Sequence, residues 1–109
     1  MATTKNGVST FGERLRNLRE DSQLSLRALS DEIGVDTSLL AKIERNERTA
    51  TREQIKQFAK FFKLDEKEMV KEQLSDQFAY KILEEEADLD TLKVAEKKVE
   101  YLKSTAKAK

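Results

Sequence analysis

The sequence contains no proline in 109 residues and only three glycines, Gly7, Gly12 and Gly34. Strand-rich folds turn often, and glycine and proline supply most of those turns. A chain almost free of both, and rich in Leu, Glu, Lys, Arg and Gln, is directed towards helix. Only 38% of its residues are apolar, against 39% charged. A core is attainable on those terms only if apolar side chains fall on helical stripes. The expected class is all-α.

The same composition excludes several functions. There is no cysteine and no histidine, which removes disulfides, Cys/His zinc sites and thiol or imidazole catalysis. No glycine-rich phosphate loop is present, and the acidic run Glu84-Glu85-Glu86 reads as solvated surface. No enzymatic activity, metal, cofactor or small-molecule ligand is expected. No apolar run approaches the roughly 18 residues of a membrane span. The Met1-Ala2-Thr3-Thr4-Lys5 start lacks the apolar stretch of a signal peptide. The compartment implied is the cytoplasm, with no membrane partner.

Residues 1–9 are small and polar and read as a flexible N-terminus. Thr10 with Glu13 three residues on forms a capping box, opening a helix from Phe11 to Ser22 with Phe11, Leu15 and Leu18 on one stripe. Ser25 caps a second helix carrying Leu26, Leu29 and Ile33. Gly34 ends it, and Val35 plugs the turn. Asp36 caps a third helix, Thr37 to about Arg45, with Leu40 and Ile43 inward and Asn46 suited to the left-handed end. Thr51 caps a fourth, striped by Ile55, Phe58, Ala59 and Phe62, where a core role for Phe58 and Phe62 outweighs base stacking. Asp65 and Glu68 open a fifth, which carries Met69, Val70, Leu74, Phe78, Ile82 and Leu83.

Beyond the fifth helix, Leu92, Ala95, Val99 and Leu102 are spaced 3-4-3, as in a coiled-coil seam. Extending that frame backwards meets Asp88, Glu85 and Lys81, so the seam does not continue into the fifth helix. Either a bend near 84–90 with Asp88 or Asp90 as cap, or one continuous helix with a shifted face, satisfies the pattern. Residues 104–109 read as a flexible tail.

Two short helices joined by Gly34-Val35-Asp36, with small polar groups on the third, make a helix-turn-helix pattern. Residues 11–64 resemble the Cro/C1-type, or XRE-family, DNA-binding domain. The resemblance lies in Phe11-Gly12-Glu13-Arg14-Leu15-Arg16-Asn17-Leu18-Arg19, Leu24-Ser25-Leu26-Arg27-Ala28-Leu29-Ser30, Ile33-Gly34-Val35, Leu40-Ala41-Lys42-Ile43-Glu44-Arg45-Asn46 and Ala59-Lys60-Phe61-Phe62-Lys63-Leu64. It implies a five-helix, lambda-repressor-like helix-turn-helix domain at 10–64 with a C-terminal helical extension. The chain departs from the family at four places. Leu26 stands where the family often has a DNA-contacting Gln, Ser30 where it often has Ala, Asn46 where it has Gly, and Ala50 where it has Pro. The first puts one family contact in doubt.

In the third helix, positions 38, 42 and 45 share a face opposite Leu40 and Ile43. Such a helix fits the major groove, and its N-terminal residues meet base edges. Thr37, Ser38, Leu39 (read as solvent-facing, with core or dimer packing an equal alternative to DNA contact) and Lys42 are the expected base contacts, although Thr and Ser also suit an ordinary helix start. Ser25, Arg27, Arg45, Arg48 and Thr49 fall where the family meets the DNA backbone and are expected at phosphates. Arg19 and Glu44 resemble the family's structural pair linking the first and third helices.

The charge is divided. Residues 1–64 carry twelve basic and nine acidic side chains, and the remainder nine and twelve. The acidic 65–103 segment is expected to be a helical dimerisation region, with Leu74, Phe78, Ile82, Leu92, Val99 and Leu102 in a homodimer interface. Folding back of the last helix on the fifth is the alternative. The function expected is a sequence-specific transcriptional regulator, a homodimeric repressor on palindromic double-stranded DNA. An antitoxin-like or adaptor protein, with a protein partner at 65–103, is the competing reading.

Overall fold

A computed structural model of the chain describes residues 7–108; the expectations for residues 1–6 and 109 lie outside it. The described residues form six helices: α1 (Phe11–Asp21), α2 (Leu26–Ile33), α3 (Thr37–Glu44), α4 (Arg52–Phe62), α5 (Glu66–Glu84) and α6 (Asp90–Ala108). The all-α class, the helix-turn-helix domain and the C-terminal helical extension follow.

The helix starts are the capped positions of the sequence. Thr10 and Glu13 close a reciprocal capping box on α1, and Thr51 and Gln54 close another on α4. Ser25 accepts from the Ala28 amide at 2.9 Å, and Asp36 accepts from the Ser38 and Leu39 amides. Each cap satisfies an amide that has no intrahelical partner. Asp65 accepts from the Lys67 amide ahead of α5. The ends are less conventional. Gly34 ends α2 at φ 71°, but Gln23, Asn46, Lys63 and Glu86 also take left-handed backbone without being glycine.

The chain divides into two compact units, up to Asp76 and from Gln77 onward. In the first, Leu15, Leu29, Leu40, Ile43, Ile55, Phe58 and Met69 are fully buried. Each contributes roughly 1.5–3 kcal/mol by leaving water. Phe11 tilts against Phe58, ring centroids 6.4 Å apart. Leu24, Leu26, Leu39, Phe61, Phe62, Leu64 and Val70 pack around this cluster.

The first unit reaches past 64, the limit expected for the DNA-binding domain, because the first half of α5 belongs to the same core. Met69 is buried in it. Glu72 pairs with Arg14, and the Asp76 carboxylate accepts from the Phe11 amide at 2.7 Å. Burial pushes the Asp76 carboxyl above its usual range, against the lowering effect of that amide, and Glu13 adds to the rise.

In the second unit, α5 ends at Glu84 and α6 begins at Asp90, so the chain turns at 85–89 and the two are not one continuous helix. Glu86 is left-handed at φ 54°, and the Ala87 amide closes on the Ile82 carbonyl at 3.0 Å. Asp88 precedes the helix and Asp90 is its first residue. α6 continues to Ala108, through the segment from Ser104 where a flexible tail is expected. Ser104-Thr105-Ala106 contains no breaker, and the Thr105 hydroxyl donates to the Leu102 carbonyl at 2.9 Å. Every residue of α6 from Asp90 to Ala106 is exposed, so folding back on α5 does not cover its apolar residues.

Candidate nucleic-acid interface

The candidate interface is built on α3. Leu40 and Ile43 are fully buried and fix one side of this helix against the core. That leaves Ser38, Lys42 and the C-cap residue Arg45 exposed at i, i+4 and i+7. Thr37 is half-buried. Leu39 is half-buried and packs against the core cluster, which corrects its expected solvent-facing position.

The height of α3 above its support is set by three contacts with neighbouring elements. The Arg19 guanidinium donates to both carboxylate oxygens of Glu44, at 2.7 and 3.0 Å, and to the Leu24 carbonyl at 2.8 Å. Arg19 and Glu44 are each more than nine-tenths buried. The bond to Glu44 holds the Arg19 pKa above its ordinary value, against burial. Breaking such a pair strands a buried charge, at about 3–5 kcal/mol. The structural pairing expected for these two residues is present.

The second contact was not evident from the sequence. The Asn46 side chain accepts from the Gly12 amide at 3.1 Å and donates to the Thr10 hydroxyl at 2.9 Å, tying the start of α1 to the end of α3. At Gly12 an added Cβ would stand 2.5 Å from the Ile43 and Glu44 carbonyl oxygens. The two backbones approach so closely that only glycine fits there. The third contact is between α2 and the turn that leads into α3: the Ser30 hydroxyl donates to the Val35 carbonyl, and the Val35 side chain is buried.

Around α3 stand the expected phosphate contacts. Ser25 and Arg27 are exposed at the start of α2. Ser25 uses one acceptor position for its cap, so its hydroxyl hydrogen is still available to donate. Arg48 and Thr49 are exposed in the loop after α3. That loop is held from α5: the Ala50 amide donates to Gln73 at 2.6 Å, and Gln73 donates back to the Ala50 carbonyl at 2.8 Å. Ala50 can form this clasp because it has the amide hydrogen that a proline lacks. Leu26 packs against the core, so its side chain does not take the place of a family glutamine.

Arg45 is engaged within the protein. Its guanidinium donates twice to the Glu47 carboxylate, at 2.9 and 3.1 Å, with both side chains exposed. Those bonds hold the Glu47 carboxyl below its usual range, with the Arg45 and Lys42 charges acting the same way. An exposed pair of this kind opens readily. Among the described residues, no cluster of Asp and Glu is arranged to hold a metal ion, and no helix is long and apolar enough to cross a membrane.

Comparison with known families matches residues 12–74 to a helix-turn-helix domain, of the Cro/C1 type. No curated protein and no solved structure matches the chain. The matched segment ends within α5, two residues before Asp76.

Proposed function

The chain belongs to the Cro/C1-type helix-turn-helix family, and from that premise we propose that it is a sequence-specific transcriptional regulator, a homodimeric repressor acting in the cytoplasm on palindromic double-stranded DNA. The observation that carries this reading is the division of α3. Leu40 and Ile43 are sealed into the core while Ser38 and Lys42 stand in solvent. A helix presented in this way enters a major groove about 12 Å wide.

Ser38 and Lys42 reach base edges, with Thr37 and the exposed edge of Leu39 beside them. Lys42 suits guanine O6 and N7. Ser25, Arg27, Arg45, Arg48 and Thr49 bind phosphates and fix the register of the helix without reading sequence. One module of this size gives modest affinity, and two modules on half-sites a helical turn apart give more. Leu74, Phe78, Ile82, Leu92, Val99 and Leu102 form the dimer contacts in this proposal. The exposed apolar residues of α5 and α6 also support an antitoxin-like or adaptor role, in which another protein covers them.

Selection of binding sites from random duplex DNA tests the proposal, and enrichment of an inverted repeat is expected. Lys42→Ala then costs about 1–3 kcal/mol on the selected site and relaxes its base preference. Arg48→Ala weakens all duplexes alike and reduces the salt slope by about one. Absence of any enriched sequence, together with no retarded duplex at low salt, overturns it.

A further inference from the structure

α6 is a long helix in which every residue from Asp90 to Ala106 is exposed. Helices in water gain most of their stability from packing an apolar face. The apolar residues of α6 are also ordered. Leu92, Ala95, Val99, Leu102 and Ala106 follow a 3-4-3-4 spacing, the period of a helix that pairs along a seam. Val94 and Tyr101 lie off that seam, with Lys97 and Lys98 between them.

The charges beside the seam select the partner and its direction. With Leu92, Val99 and Ala106 as first-type seam positions, Glu96 and Lys103 lie along one edge, and Lys98 and Thr105 along the other. In a parallel pair, opposite edges meet, so Lys98 faces Lys103 of the second copy and Thr91 faces Glu96. Two Lys–Lys contacts then oppose assembly with no attraction to offset them. In an antiparallel pair, like edges meet, and one register sets Glu96 against Lys103 of the second copy, twice by symmetry. The same register sets Val99 against Leu102 at the centre and Ala95 against Ala106 at either end, and leaves Leu92 beyond the α6 seam. The antiparallel alternatives one heptad away pair Glu96 with Glu96 and Lys98 with Lys98 in one direction, and Lys103 with Lys103 in the other.

We propose that α6 binds α6 of a second copy of this chain antiparallel, in the register that places Val99 on Leu102 and Glu96 on Lys103. This deepens the homodimer part of the function proposed above, and its test involves no DNA.

The chain has no native cysteine, so introduced thiols report cleanly. Ala95→Cys and Ala106→Cys proteins are prepared with circular dichroism as the folding control, then oxidised mildly, apart and mixed. Cross-linked dimers are expected only in the mixture, through a 95–106 disulfide. Cross-linking of either variant alone overturns the register.

Sedimentation gives a second readout. Lys103→Glu should weaken the dimer about tenfold, because two attractions become two repulsions, and adding Glu96→Lys should restore it. Tightening by Lys103→Glu alone marks a parallel pair and overturns the proposal. So does a full-length chain that is monomeric at hundreds of micromolar, whether or not another protein then binds α6. A monomer that still retards duplex DNA separates this failure from failure of the DNA-binding reading.

Discussion

The two units are built from the same kinds of residue and use them in opposite ways. Up to Asp76, the apolar stripes of α1–α4 and the start of α5 converge on one core, and seven large side chains are fully buried there. From Gln77 onward, Phe78, Leu83, Leu92, Val99 and Leu102 are each more than two-fifths exposed. The difference shows that a helical stripe specifies a helix but not what covers it. In the first unit, short connections fold the stripes onto each other. In the second, α6 presents its stripe to solvent, where only the proposed pairing would cover it.

The comparison is broken most directly by truncating one side chain on each side of it. Phe58→Ala should cost about 3–5 kcal/mol of unfolding free energy, the price of an empty core position. Leu102→Ala should cost less than about 0.5 kcal/mol in dilute protein. Urea unfolding monitored by circular dichroism measures both, and equal losses would refute the distinction.

A smaller effect tests whether the first half of α5 belongs with the DNA-binding domain. Gln73→Ala removes both hydrogen bonds to Ala50. It should cost about 1–2 kcal/mol and weaken binding to every duplex alike, because the loop carrying Arg48 loosens. An unchanged melting temperature with unchanged affinity would return the domain boundary to 64.

The smallest expected effect concerns the Arg45–Glu47 pair. Glu47→Gln releases Arg45 and removes a negative charge beside Lys42. Affinity for any duplex should rise about threefold at low salt and less at high salt. A loss of affinity would mean that Glu47 positions Arg45 and does not compete with phosphate.

Much of this was legible in the sequence. Thr10, Ser25, Asp36 and Thr51 are side chains whose oxygens must meet helix-start amides, so local chemistry marks each start. Leu40 and Ile43 declare the buried side of α3 by spacing alone. The ends were harder, because Gln23, Lys63 and Glu86 adopt the left-handed backbone for which glycine is the usual signal. Spacing left Leu39 open between groove and core, because a short helix between two neighbours buries more than one stripe. Gly12 and Gln73 were missed for a different reason. Their partners are Ile43, Glu44 and Ala50, and such pairings exist only after distant segments meet.

The clasp on Ala50 also limits how this protein can be recombined with its relatives. A proline at 50 offers no hydrogen to Gln73 and keeps only the bond to its own carbonyl, so exchanging position 50 without 73 halves the clasp. A chimera joined after Leu64 would leave the loop of Arg48 and Thr49 ungripped. A transplant that keeps the reading head intact has its seam after Asp76, in the middle of a helix.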